Sequence, residues 1–262
     1  MAEVSYERKG AAAVLTIDRP ERRNAVDPAT ADELLEGYRS FEADDDARVL
    51  VLTGAGDEAF CAGADLKSVA AARDDQAIAE QWLKPRPHGP LGFTRITSPK
   101  PTIAAISGWA LAGGLELALW CDLRVGTETA KLGFPERRWG VPLIDGGTQR
   151  LPRIVGMGRG LDLILSGRIV EATEALAIGL LTEIVKPGKH LDRALEMAEG
   201  LAGFPQETML ADRRAALEGL GLPLAEGLAL EAEIGSKVAA TGVEGAARFA
   251  AGEGRSGSGA GV

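Results

Sequence analysis

Apolar and polar positions first alternate in residues 4–18. VSYER swings between faces, Lys9-Gly10 marks a turn and AAAVLTID returns, which predicts a β-hairpin over Val4 to Asp18. A charged loop follows, Arg19-Pro20-Glu21-Arg22-Arg23-Asn24. Asp27-Pro28 is a helix start, with an acidic N-cap and proline at the first helical position. Leu34, Leu35, Tyr38 and Phe41 then share one helical face, and Asp44-Asp45-Asp46 is expected to close the helix in solvent. Val49 to Thr53 reads as a short, wholly apolar strand, and Phe60 to Leu66 as a tight turn of small residues. Residues 69–98 are polar, partly helical and broken by Pro85-Arg86-Pro87-His88-Gly89-Pro90, the pattern of a mobile or substrate-facing loop.

The middle of the chain is more apolar. Thr102 to Ser107 predicts a buried strand, Gly114 to Trp120 a buried helix and Asp122 to Gly126 another strand. Helices are expected over Leu151 to Val155, Gly160 to Leu165 and Glu171 to Ile178, and a last strand over Leu181 to Val185. Beyond Leu191 only helices are predicted, at 191–203, 205–219 and 223–250. Strands alternating with helices over the first 190 residues imply an α/β fold. The expected organisation is a core carrying the active site over 1–190, a helical oligomerisation region over 191–251 and a flexible Gly/Ser-rich tail over 252–262.

Composition narrows the function classes. With 262 residues, 45% hydrophobic and 26% charged, the chain reads as an ordinary soluble globular protein. No apolar run is long enough to span a membrane, and MAEVSYERKG lacks the apolar segment of a secretory signal. Two cysteines, Cys61 and Cys121, make no disulfide framework, so a reduced, cytoplasmic setting is expected. A net charge of −9 argues against non-specific nucleic-acid binding. His88 and His190 lie far apart, and no metal site or cofactor is expected. GxxxxGK[ST] and GxSxG are absent, and the one GxGxxG string, GEGRSG at 252–257, falls in the Gly/Ser-rich tail with no strand pattern before it, which removes the commonest warrants for nucleotide hydrolysis, α/β-hydrolase chemistry and dinucleotide binding.

The candidate chemistry is concentrated in Thr102 to Glu136. A strand runs through Ala112-Gly113-Gly114 into an apolar helix carrying Glu116, and Glu136 follows beside Pro135. A glycine-rich turn at a helix start offers bare N–H groups to a developing negative charge. Glu116 reads either as a partner of the helix dipole or as a carboxylate held for acid/base work by its apolar neighbours. Glu136, taken alone, reads as a solvated loop or helix-start residue. Asp145, in Leu143-Ile144-Asp145-Gly146-Gly147, reads as a turn or N-cap aspartate.

Taken together, RPERRNAVD at 19–27, VLVLTGAGDEAFCAGADLK at 49–67, PKPTIAAISGWALAGGLELALWCDLRV at 99–125, LGFPERRWGVPLIDGGTQRLPRIVG at 132–156 and LILSGRIVEATEALAIGLLTEIV at 163–185 resemble the enoyl-CoA hydratase/isomerase (crotonase) superfamily. The resemblance covers residues 4 to about 250. It implies a crotonase-like spiral of ββα units with a C-terminal helical trimerisation region, a homotrimer or hexamer, and an acyl-CoA thioester substrate with coenzyme A as part of that substrate. It implies that the N–H groups of Ala64 and Gly113 form an oxyanion hole and that Glu116 and Glu136 are catalytic. Together they would add water across the C2=C3 bond of a 2-enoyl-CoA to give a 3-hydroxyacyl-CoA. It points to Arg22, Arg23, Ala62, Asp65, Lys67 and Phe249 as coenzyme A contacts. Asp145 stands where typical hydratases carry a small residue, which makes it an additional catalytic candidate. It also opens a second reading, an enoyl-CoA isomerase or other crotonase-type enolate chemistry using Asp145. A reading from another class is a non-catalytic acyl-CoA-binding protein.

Overall fold

The computed structural model describes residues 2–252; the expected tail at 253–262 lies outside the described residues. The hairpin forms as β1 (Val4–Lys9) against β2 (Ala12–Ile17). Helix α1 (Pro28–Ala43) starts where Asp27 accepts the Thr30 N–H, and it buries Leu34, Tyr38 and Phe41. Asp44 is half-buried rather than solvated, because the Tyr6 hydroxyl donates to it across 3.0 Å.

Strands β3 (Val49–Gly54), β5 (Thr102–Ile106), β7 (Leu123–Thr127) and β10 (Glu183–Val185) extend the hairpin into a six-stranded sheet ordered β1-β2-β3-β5-β7-β10. Every pairing after the hairpin is parallel. Apolar runs such as VLVLT are continuous because both faces are covered. Leu50, Leu52, Ala104 and Ile106 point into one core, with α1 and the buried helix α4 (Gly113–Trp120). Val49, Val51, Ile103 and Ala105 point into the other, against Ala194 and Ala198 of α8 (His190–Gly203). Helix α8 is thus part of the packed core of the sheet.

A second sheet, β4-β6-β8-β9, is built from three-residue strands: β4 (Ala59–Cys61), β6 (Trp109–Leu111), β8 (Lys131–Gly133) and β9 (Ile169–Glu171). Strands β4, β6 and β8 are parallel, and β9 closes the sheet antiparallel. Helices α2 (Leu66–Ala71) and α3 (Gln76–Leu83) occupy the polar segment after β4. Helices α5 (Gly147–Val155), α6 (Met157–Ser166) and α7 (Ala172–Ala177) follow the second sheet.

The remaining C-terminal helices are α9 (Gln206–Gly219), α10 (Leu224–Ser236) and α11 (Ala239–Ala251). The single helix expected over 223–250 is two, because the chain turns at Lys237-Val238, where both N–H groups bond back three residues, to Ile234 and Gly235. Among the described residues no helix is long and apolar enough to cross a membrane.

Helix α9 is clamped to the core by Arg213. Its guanidinium meets both Asp122 oxygens at 2.9 Å and donates to the Ser98 carbonyl at 2.7 Å, while Asp122 also accepts the Thr102 N–H. Asp122→Ala removes the only carboxylate of this knot and leaves a largely buried cation, so a loss of about 3–5 kcal/mol is expected in urea denaturation. An unchanged midpoint would show that α9 docks without the clamp.

Candidate active site

Two parallel neighbours of the small sheet, β4 and β6, end side by side. Ala64 lies three residues beyond β4, and Gly113 two residues beyond β6. The turns touch: a Cβ placed on Gly63 would fall 2.8 Å from the Gly113 nitrogen and 3.0 Å from the Ala112 Cβ. Gly63 has φ of +89°, so glycine answers both the space and the dihedral angle. Ala112 holds φ 54° and ψ −126°, a conformation costly for an L-residue. It is pinned from both sides, its N–H donating to the Gly133 carbonyl at 2.9 Å and its carbonyl accepting the Glu116 N–H at 3.1 Å. Among the described residues, neither the Ala64 nor the Gly113 N–H has a hydrogen-bond acceptor in the chain. The Gly113 N–H opens α4, where the aligned peptide dipoles add positive potential.

Both donors border a cavity of about 400 Å³. Its lining also includes Glu116, Glu136 and Asp145, with Leu66, Val69, Trp82, Leu91 and Leu143 among the apolar walls. Glu116 is 2% exposed, on the first turn of α4. Its Oε1 accepts the N–H of Asp145 at 2.9 Å and of Gly147 at 2.7 Å. Burial pushes its pKa up to about 7, against the pull of the Gly147 N–H. Glu136 is 5% exposed, in the first turn of the 3-10 helix Pro135–Trp139: the helix-start reading of its local sequence holds, and the solvated-loop reading does not. Neither of its oxygens has a hydrogen-bond partner among the described residues, and burial raises its pKa. Proline fixes the entry to that turn, and Gly140, at φ 73°, closes it.

Asp145 is 3% exposed, and its Oδ1 accepts the Leu91 N–H at 3.1 Å and the Thr94 hydroxyl. It lies buried in the bend that leads into α5, as the turn reading expects, and the N-cap of α5 is Gly146 instead. Leu91, Thr94 and Arg150 had no sequence signal of their own. Arg150 donates to the Asp145 carbonyl at 2.9 Å and to the Thr94 carbonyl at 2.6 Å.

The residues implied as coenzyme A contacts are dispersed. Ala62 lines the cavity. Arg22, Arg23 and Lys67 are exposed outside it, with Arg23 paired to Glu58 at 2.8 Å. Asp65 is buried, capping α2 through the Lys67 and Ser68 N–H groups. Phe249 is exposed on α11, beyond the cavity lining.

A spiral of short parallel strands ending in two free amides beside buried carboxylates defines an enzyme of the crotonase type. The family model described as enoyl-CoA hydratase/isomerase matches residues 7–252, and the chain belongs to that family. It is 36% identical to the (E)-benzylidenesuccinyl-CoA hydratase of Thauera aromatica, over 86% of each chain. It is 35% identical to the short-chain-enoyl-CoA hydratase of Clostridium acetobutylicum, over 88% of this chain and 87% of the relative. Among solved structures, an enoyl-CoA hydratase from Mycobacterium marinum superposes with a TM-score of 0.85 at 34% identity, covering 95% and 96% of the two chains.

Proposed function

We propose that this protein adds water across the C2=C3 bond of a 2-enoyl-CoA, giving the 3-hydroxyacyl-CoA. The observation that carries the reading is Glu136: a buried carboxylate with both oxygens unpartnered, in the same cavity as Glu116 and the two free amides. The thioester oxygen accepts from the Ala64 and Gly113 N–H groups. Negative charge builds there as water adds at C3, and preorganised amides meet it without rearranging. Glu116 is the base. Two N–H donors on Oε1 favour its ionised form and leave Oε2 to take a proton from the water. Glu136 is the acid. Burial raises its pKa against the opposing pull of its own backbone N–H and of Arg137, and from the protonated form it delivers a proton to C2 of the enolate. The two proton transfers on one face make a syn addition.

The phosphates of coenzyme A meet Arg22, Arg23 and Lys67 in this reading. Three or six copies assemble through the C-terminal helices, which expose Leu217, Leu224, Leu228 and Val243, and bring Phe249 to a neighbour's coenzyme A.

A spectrophotometric screen of 2-enoyl-CoAs of different length and branching tests the reaction. Loss of the conjugated thioester band is the expected result, and no turnover of any member sinks it. The pH profile has a fixed sign. The base must be ionised, so activity falls as pH drops through about 7, the value for Glu116. The acid must be protonated, so a loss of activity is expected on the alkaline side as well. The limbs belong to the coupled pair.

An isomerase reading is favoured by one observation, the third carboxylate in the cavity. Incubating a 3-enoyl-CoA and following formation of the 2-enoyl isomer without gain of water tests it.

A further inference from the structure

The hydration reading uses two carboxylates, and the cavity holds three. Asp145 lies where three parts of the chain meet. Its main-chain N–H holds Glu116 Oε1 at 2.9 Å. Its carbonyl is gripped by Arg150 of α5 at 2.9 Å. Its Oδ1 takes the Leu91 N–H at 3.1 Å together with the Thr94 hydroxyl. Leu91 in turn lies against the oxyanion turn, since a Cβ placed on Gly113 would come within 2.5 Å of Leu91 Cδ1.

We infer that Asp145 is a positioning residue for the proposed base: its amide aims the Glu116 carboxylate, and its side chain, fixed by Leu91 and Thr94, sets a second carboxylate beside it. The inference rests on the hydration reading and deepens it.

The groups facing Glu116 are few. Asp145 approaches from the loop before α5, Glu136 from the 3-10 turn, and Arg150 from α5 itself. The two acids disfavour ionisation of Glu116, whereas the Gly147 and Asp145 N–H groups favour it. Burial raises the Asp145 pKa, but Thr94, Leu91, Arg95 and Arg150 all act on the side of its carboxylate. A fixed anion beside a base makes it hold its proton more tightly once taken, and so makes it a stronger base.

A plain structural staple would share the same contacts, and charge is what separates the two roles. Asp145→Asn keeps an oxygen for Leu91 and Thr94 and keeps the amide to Glu116, while it removes the charge. The expected result is a fall in the acid limb of kcat/KM by about 0.5–1 pH unit. The plateau should drop about 3- to 10-fold, with KM changed less than about 2-fold. A staple that merely loosens would lower kcat or raise KM and leave the limb in place, and an unmoved limb overturns the inference. A second measurement does not depend on turnover. Carbon-13 NMR of labelled glutamate carboxyls, in a Glu136→Gln background, follows Glu116 directly with and without Asp145→Asn. A lower midpoint upholds the inference even where no enoyl-CoA is hydrated, and equal midpoints overturn it even where hydration is rapid.

Discussion

Replacing Glu136 by Gln is expected to lower kcat for 2-enoyl-CoA hydration by about 10²- to 10⁴-fold, the range of a lost general acid. The shape of the side chain is kept, so KM should stay within about 3-fold. The same change is expected to stabilise the fold. Burial raises the Glu136 pKa, so the folded protein holds this proton more tightly than the unfolded chain does. Above the folded pKa the enzyme carries an ionised, unpartnered buried carboxylate, and that cost fades as pH falls through the folded pKa. Gln is neutral throughout. Its gain, about 1–3 kcal/mol, should therefore appear in thermal denaturation at alkaline pH and shrink as pH falls from the folded pKa toward the ordinary glutamate value. Wild-type turnover in this variant would remove Glu136 from the reaction.

Gly63→Ala should cost almost as much by a different route. The added Cβ meets the Gly113 nitrogen at 2.8 Å, the Ala112 Cβ at 3.0 Å and the Leu111 carbonyl at 3.1 Å, at a residue whose φ is +89°. All three neighbours belong to the turn that presents the Gly113 N–H. Pushing that turn away spoils one donor of the proposed oxyanion hole, for which a loss of about 10²- to 10³-fold in kcat is expected. Strain at the positive φ adds a stability loss on the order of 1–2 kcal/mol. Steady-state kinetics and exchange of the acyl-CoA α-proton with solvent report the two consequences of a displaced donor. Exchange and kcat both at wild-type level would show that the pair is not what polarises the thioester.

Parts of this architecture were legible because local rules and the final fold agree. The hairpin declared itself through alternation around Lys9-Gly10, and α1 through the Asp27 cap followed by Pro28. The strands of the large sheet stood out as apolar runs because both of their faces are covered. The small sheet was nearly silent. Three residues cannot display a period of two, and β6, β8 and β9 borrow their stability from neighbours rather than from their own composition. The break between α10 and α11 is preceded by Gly235-Ser236, a weak signal beside the other glycines of this stretch that sit inside continuous helix, such as Gly227 and Gly242.

The candidate site followed the same division. Glu116, with an acid between two leucines, asked for an explanation from sequence alone. Glu136 and Asp145 did not, since their burial comes from elements distant in the chain: Asp145 is fastened to Leu91, 54 positions away. Whether a surface cation is available is also a three-dimensional fact. Arg23 spends its Nε on Glu58, whereas nothing in RPERRN distinguishes it from Arg22.

The two free amides belong to the ends of adjacent hydrogen-bonded strands, whereas much of the apolar wall comes from the 66–95 segment outside that ladder. Precision and adaptability are therefore assigned to different stretches of polypeptide. The ladder cannot drift without losing backbone pairing, so drift in the 66–95 segment alters the shape of the chamber while the two free amides stay where they are. Asp145, which ties Leu91 and Thr94 to Glu116, is where the two stretches are made to answer to each other.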